Sequence, residues 1–117
     1  MTYQQVAAVV SSIYLNNELI PCAYFMFPDD PNNPAPAPPF LVYYYPSDND
    51  VKADNKNYSF VRELIVELYT DNKDFAAEKA VEDALTAAGF VYSRDETYIE
   101  SEKLYEVTYN MEVFING

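Results

Sequence analysis

The chain has 117 residues, of which half are hydrophobic and 16 % are aromatic, so it can form one domain with a buried core. Nineteen acidic residues against seven basic ones give a formal charge of −12. Proteins that grip nucleic acid or anionic membranes draw their affinity from clustered Lys and Arg, so this balance argues against both as tight partners. We therefore expect a single domain over residues 1–117 that has no membrane partner and binds no DNA tightly.

The residue types that are missing exclude several kinds of active site. There is no His, so a Ser-His-Asp triad and histidine metal ligands cannot form, and two glycines cannot build a phosphate-binding loop. The single cysteine, Cys22, can form neither an intrachain disulfide nor a thiolate zinc site, and it is expected to act as a small buried hydrophobe. No apolar run reaches the ~18–20 residues of a membrane-spanning helix. The sequence predicts a protein that is not an enzyme and uses no cofactor or metal.

The first sixteen residues carry the pattern of a helix. Val6, Val10 and Ile13 recur at helical spacing, and Thr2 is a suitable N-cap. Asn16 and the asparagine that follows it are expected to end this helix.

A strand is predicted next over residues 19–27, although Pro21 weakens its start. Residues 28–39 hold six of the eight prolines, which predicts an extended arm or loop without regular structure. This segment is either an ordinary surface loop or a preordered arm that docks on a neighbouring subunit, and the residues leave both readings open.

The rest of the chain predicts four further strands and a second helix. Strands are expected at 40–45 and 58–70, separated by a polar loop over 47–57. A helix over 73–88 should be capped at its start by Asp71 and Asn72, bury a stripe that includes Phe75, and end at Gly89. Glu78 is expected on the opposite, polar side of that helix.

A fourth main strand begins at residues 90–94, a turn is expected at Asp95 and Glu96, and a last strand alternates over 103–115. The element order α-β-β-β-α-β-β predicts an α+β two-layer sandwich with a mainly antiparallel sheet and both helices on one face.

The acidic loop resembles a calcium loop only superficially. Asp48, Asp50 and Asp54 alternate as metal ligands would, but Ala53 replaces the required glycine and Ser59 replaces the bidentate glutamate. A solvated turn is the favoured interpretation. An enzyme that uses two carboxylates and a metal stays an alternative that requires these three aspartates to converge.

Close carboxylate pairs also occur at Glu63 and Glu67 and at Glu100 and Glu102. Such pairs can perform acid–base catalysis, but they are expected by chance in so acidic a chain. Three consecutive tyrosines at 43–45 could stack on nucleotide bases, yet no basic groove accompanies them, so core and subunit-interface roles are favoured.

Four segments carry a family resemblance: PPFLVYY at 38–44, ADNK at 53–56, IVELYTDNKD at 65–74 and ETYIESEKLY at 96–105. With these segments the chain resembles the tail-terminator (tail-completion) proteins of long-tailed bacteriophages, or siphophages, of Gram-positive bacteria. The resemblance covers most of the chain from residue 38 onward, and it contains no catalytic signature.

The resemblance implies a non-enzymatic structural subunit. It would form a homo-oligomeric ring, commonly a hexamer, that ends the tail tube at its head-proximal end and joins the head–tail connector. Its partners would be other copies, the major tail tube protein and the connector, with DNA passing through untrapped because an acidic lumen repels phosphates. It would be found in the virion tail and, before assembly, in the host cytoplasm.

Two groups of residues are expected to serve this assembly. The lumen would be lined by Asp48, Asp50 and Asp54. The subunit interface would involve Pro34, Pro36, Pro38, Tyr43, Tyr45, Tyr69, Tyr105 and Tyr109.

Two further functions stay open. An acidic domain of this size can mimic DNA and inhibit a host nuclease, and a neighbouring head-completion protein would share the small, non-catalytic, ring-forming character.

Overall fold

The structure is a computed structural model that describes residues 1–46 and 59–116. The elements, in chain order, are α1 (Tyr3–Val10), β1 (Tyr14–Leu15), β2 (Glu18–Leu19), β3 (Cys22–Tyr24), β4 (Phe40–Tyr44), β5 (Ser59–Thr70), α2 (Phe75–Ala87), β6 (Tyr92–Ile99) and β7 (Leu104–Asn116). None of the helices in these two ranges is long and apolar enough to cross a membrane.

Five strands form one sheet in the order β3-β4-β5-β7-β6, in which β3 and β4 are parallel and all other neighbours are antiparallel. Both helices pack against one face of it and share a single core with that face. The predicted α+β sandwich is therefore confirmed. Its core is built from alternate residues of β5 and β7 and from the helix stripes: Val6, Val10, Leu64, Val66, Leu68, Val81, Leu85, Val107, Tyr109 and Ile115.

Helix α1 begins where predicted but ends earlier. The Gln5 amide donates to the Thr2 hydroxyl at 3.1 Å and the Thr2 amide donates to the Gln5 side chain at 2.8 Å, which forms a capping box. The helix stops at Val10 with Ser11 as its C-cap. Asn16 and Asn17 take positive φ angles of 53° and 66° and turn the chain within the β1–β2 hairpin. The asparagines are a hairpin turn rather than a helix end.

The strand predicted over residues 19–27 is reduced to β3. Pro21 has no amide hydrogen to pair at its start. At its end, Phe25 takes a φ of 69° and turns the chain out of the strand direction. Residues 28–39 form no helix or strand, as predicted, apart from one isolated bridge between Asp30 and Asn33.

Strands β5 and β7 form the centre of the sheet, and all twelve residues of β5 are paired with β7. The turn predicted at Asp95 and Glu96 is wrong: both lie within β6, opposite Thr108 and Val107. The β6–β7 connection comes later and ends at Lys103, which has a φ of 54°. Because β6 is an edge strand, its charged side chains can reach solvent and do not have to be buried in the core.

Helix α2 departs from prediction at two residues. Its N-cap is Asp74, whose carboxylate accepts from the Ala77 amide at 2.9 Å, and not Asp71 or Asn72. Gly89 follows the helix at a φ of 85°, as expected for a left-handed cap. Phe75 is 73 % exposed rather than part of the buried stripe, whereas Glu78 is only 4 % exposed.

Candidate functional site

The sheet face that points away from both helices, here called the outer face, has no helix packed on it. On β5 and β7 every second residue points to this face, because the alternate residues enter the core. The outer face of the two strands is formed by Glu63, Ile65, Glu67, Tyr69, Glu106, Thr108, Asn110, Glu112 and Phe114. Among the described residues, no Lys or Arg occupies an outer-face position of the five strands.

Two carboxylates meet on the outer face around one tyrosine. Tyr69 lies opposite Glu106 in the β5–β7 ladder, and Glu67 lies two residues before it. The Tyr69 hydroxyl is 2.6 Å from Glu106 Oε2 and 3.1 Å from Glu67 Oε1. The Tyr44 hydroxyl approaches the other oxygen of Glu67 at 3.4 Å. We call Tyr44, Glu67, Tyr69 and Glu106 the carboxylate pair cluster.

Burial and like charge both act on this cluster. Burial and, after it, the adjacent Glu106 together raise the pKa of Glu67 from 4.5 to about 7, against the lowering effect of the two tyrosine hydroxyls. Burial and the nearby carboxylates also raise the pKa values of Tyr44 and Tyr69. Glu67 therefore changes its protonation near neutral pH, while both phenols stay neutral.

Aromatic residues cover one end of the outer face. The Phe40 ring stacks on Tyr69 at 5.1 Å, and Phe27 meets Phe40 edge-on at 5.5 Å. These aromatic residues line a shallow recess together with Ala35 from the proline-rich segment. Val42 also lines this recess and is only 5 % exposed. The segment thus lies against the sheet at this end.

A second charged cluster lies on the helix side of the sheet. The nearly buried carboxylate of Glu78 forms ion pairs with Lys73, at 2.5 Å, and with Arg94. Glu96 also pairs with both cations, and Arg94 Nε lies 3.5 Å from Glu82. We call these five residues the cation-paired cluster; it joins α2 to edge strand β6.

The cation-paired cluster extends into the core through Tyr109, whose hydroxyl donates to Glu82 at 2.8 Å. Hydrogen bonds to Glu78 raise the pKa of Arg94, and the hydrogen bond from Lys73 lowers the pKa of Glu96. The cluster therefore places two cations among three carboxylates.

Four tyrosines and Arg62 line an open recess beside α1. Tyr3 and Tyr45 meet edge-on at 5.2 Å, and Arg62 Nε donates to the Tyr3 hydroxyl at 3.0 Å. The Tyr45 hydroxyl is buried without a hydrogen-bond partner among the described residues, and burial raises its pKa. Cys22 packs beside this region against the core, where burial raises the pKa of its thiol to about 11, so it is not an activated nucleophile.

The structure disperses the residues predicted at a subunit interface. Pro34 is exposed, and Pro36 and Pro38 are partly buried. Tyr43 and Tyr45 border the recess beside α1, Tyr69 lies on the outer face, and Tyr105 packs on Tyr98 at the far end of the β6–β7 hairpin.

Tyr109 is corrected to a core residue, because it is fully buried on the helix side of β7. Asp48, Asp50 and Asp54, and with them the calcium-loop and lumen predictions, lie outside the described residues. The sequence predicts Glu63 as one member of a carboxylate pair with Glu67. In the structure its carboxylate accepts a hydrogen bond from the Asn110 side chain at 2.9 Å.

Sequence reasoning missed both clusters. The sequence suggests Glu63 as the partner of Glu67, because the two lie on the same strand. In the structure the partner is Glu106 of β7, and only the pairing register of β5 and β7 reveals it. The helical pattern predicts Glu78 on the polar side of α2. The two cations that pair with it, Lys73 and Arg94, lie outside that helix. Within residues 1–46 and 59–116, no group of three or more Cys, Asp or Glu side chains is arranged to hold a metal ion.

No protein-family model and no curated protein matches the chain. Among solved structures, it is similar to a chain in the virion of a native gene transfer agent particle, with a TM-score of 0.59. The likeness covers 98 % of this chain and 91 % of that chain at 18 % sequence identity. At this identity, the two chains share a fold over almost their whole lengths.

Proposed function

We propose that this protein is a structural, non-enzymatic subunit of a phage or phage-like virion. The observation that carries the proposal is the shared fold with a chain of a gene transfer agent virion, which leaves little of either chain unmatched.

Within the virion, the proposed role is that of a tail terminator. Copies form a ring, commonly a hexamer, that ends the tail tube at its head-proximal end and contacts the tube protein and the connector. The segments resembling siphophage tail terminators support this assignment, as does the formal charge of −12, since an acidic ring lets DNA pass without holding its phosphates.

The proposed contacts between copies involve the proline-rich segment and the exposed residues beside it. Pro34 is exposed, and Tyr24, Phe25 and Met26, which come shortly before the segment in sequence, are each more than half exposed. Exposed apolar side chains in sequence are typical of an interaction surface. Prolines with fixed φ angles lower the entropy lost when such a segment docks.

Light scattering on the purified full chain, combined with negative-stain electron microscopy, tests the ring. We expect a closed oligomer whose population increases with ionic strength, because salt screens the repulsion between acidic copies. A strict monomer at every concentration and ionic strength, or the absence of the protein from purified virions by mass spectrometry, contradicts the proposal.

A paired substitution tests the contribution of the segment. Replacing Pro34 and Pro36 together by glycine should weaken assembly, since a more flexible segment loses more entropy on docking. Pro46→Gly is the matched control, because Pro46 is an exposed proline outside the segment. Equal effects of the two changes would assign the segment no role between copies.

The DNA-mimic function is the second candidate, and the outer face favours it. Glu63, Glu67, Glu106, Glu112 and Asp95 all point to this face. A DNA mimic would bind a basic nuclease with an affinity that falls steeply with salt, whereas ring assembly should increase with salt. Opposite salt dependences therefore separate the two functions.

A further inference from the structure

We propose that Glu67 and Glu106 share one proton near neutral pH, which makes the outer face a surface whose charge changes by one unit per subunit with pH. The inference concerns the carboxylate pair cluster within one subunit and does not depend on the proposed ring.

The first argument is a count of hydrogens. Tyr69 has one hydroxyl hydrogen, yet its oxygen lies within hydrogen-bond distance of both carboxylates, at 2.6 Å from Glu106 and 3.1 Å from Glu67. The hydrogen goes to Glu106, the nearer acceptor. The contact with Glu67 then joins two oxygens without a hydrogen between them, unless Glu67 carries a proton and donates it to Tyr69.

Within residues 1–46 and 59–116, the other hydroxyl near Glu67 belongs to Tyr44. The Tyr44 hydroxyl is 3.4 Å away, which is long for a hydrogen bond between oxygens. A proton on Glu67 completes a chain in which Glu67 donates to Tyr69 and Tyr69 donates to Glu106. Each contact then contains one hydrogen.

The second argument is the charge of the surroundings. The titratable groups that face Glu67 are Tyr44 from β4, Glu63 and Tyr69 from β5, and Glu106 from β7; Asp95 of β6 lies further along the same face. All of them are acidic or phenolic. With no Lys or Arg at an outer-face position among the described residues, a proton is the available positive charge.

The raised pKa of Glu67, which follows from burial and from Glu106, agrees with this count. As the pH increases through neutrality, the shared proton leaves, the two carboxylates repel each other, and the outer face becomes more negative. Any surface that binds there meets a different charge on the two sides of this transition.

Carbon-detected NMR titration of the full chain, labelled with ¹³C, tests the proposal by following the side-chain carboxyl carbons. We expect Glu67 to titrate with a midpoint near 7. In Glu106→Gln the midpoint should fall by about one pH unit or more, because the amide removes the like charge and can donate to Glu67.

Glu112→Gln is the matched control, since Glu112 is an exposed glutamate on the same face of β7. It should leave the midpoint of Glu67 nearly unchanged. A midpoint that is the same in Glu106→Gln and in the wild type would show that burial alone acts and would overturn the sharing. Should Glu106→Gln fail to fold, a wild-type Glu67 midpoint in the ordinary glutamate range overturns the proposal, and one near neutrality supports it.

Discussion

Glutamates on the two sides of the sheet have opposite kinds of charged neighbours. On the helix side, Glu78 is almost fully buried and is matched by Lys73 and Arg94. On the outer face, Glu67 is half-buried and its nearest charged neighbour is another carboxylate, Glu106. The first cluster pairs its carboxylates with cations, whereas in the proposal the second binds a proton.

The contrast shows that the face to which a strand residue points determines which charged groups surround it. Tyr109 and Glu106 lie three residues apart on β7 and point to opposite faces, so one joins the cation-paired cluster and the other the carboxylate pair cluster. Ion pairs between Arg94 and the glutamates of α2 hold this helix against β6. A shared proton gives the outer face a charge that follows the pH.

Among changes to the two clusters, the largest effect is expected when the cation-paired cluster loses its main cation. Arg94→Met should lower the free energy of unfolding by about 2–4 kcal/mol, because buried Glu78 keeps only Lys73 as a partner. Urea unfolding followed by circular dichroism measures this. Lys79→Met, which breaks the exposed pair with Asp83, should leave the urea midpoint unchanged. Wild-type stability of Arg94→Met would mean that the cluster does not hold α2 to β6.

The next effect is a pH dependence confined to the outer face. The pKa of Glu67 is raised from 4.5 to about 7 in the folded state, so the folded chain binds more protons than the unfolded chain between these values. Stability from this group is complete below pH 4.5 and is lost as the pH rises through 7. After allowance for solvent screening, the loss should be about 1–2 kcal/mol.

Unfolding free energies of the wild type and of Glu67→Gln at pH 5 and pH 8 isolate this loss from that of the other acids. The wild type should lose more stability than the variant over this interval. Parallel pH profiles of the two proteins would show that Glu67 titrates alike in the folded and unfolded chains.

Removing single hydroxyls compares the clusters more finely. Tyr109→Phe should cost about 1 kcal/mol, because it takes a donor from Glu82 at a fully buried position. Tyr69→Phe should cost less, since its half-buried carboxylates can turn to water or retain a proton. Thermal unfolding of the two variants at one pH measures the difference. The reverse order would indicate that the outer face is the more tightly held.

The smallest effect is expected at Phe75. Although its ring lies 4.9 Å from Lys73 Nζ, it is 73 % exposed, so Phe75→Ala should change the unfolding free energy by no more than about 0.5–1 kcal/mol. Leu85→Ala, at a fully buried position on the same helix, should cost about 2–5 kcal/mol. Similar losses for both variants would place Phe75 in the core after all.

Most of the sheet and both helices could be predicted from the sequence, because their signals are local. Period-two alternation identified β5 and β7, and the spacing of Ala77, Val81 and Leu85 identified the buried side of α2. The β1–β2 hairpin was missed because Tyr14 and Leu15 extend the apolar pattern of α1. The false turn at Asp95 and Glu96 arose because acidic residues are rare in central strands but acceptable in an edge strand.

The two clusters could not be predicted, because each depends on residues brought together by the register. Glu67 and Glu106 are far apart in sequence and meet only because Tyr69 pairs with Glu106. Glu78 is buried only because Lys73 and Arg94 reach it from outside the helix. Local sequence patterns indicate which face of a helix or strand is buried. They do not indicate which acidic side chain lies next to a cation in the folded protein.

In the part of the chain that the structure describes, β3 and β6 are the edge strands of the sheet. β3 is three residues long, and β6 presents Arg94, Asp95 and Glu96 in its middle. A strand from another molecule that extended the ladder at β6 would have to bring its own side chains against these charges. These two described edges are therefore poor templates for adding a further strand to the sheet.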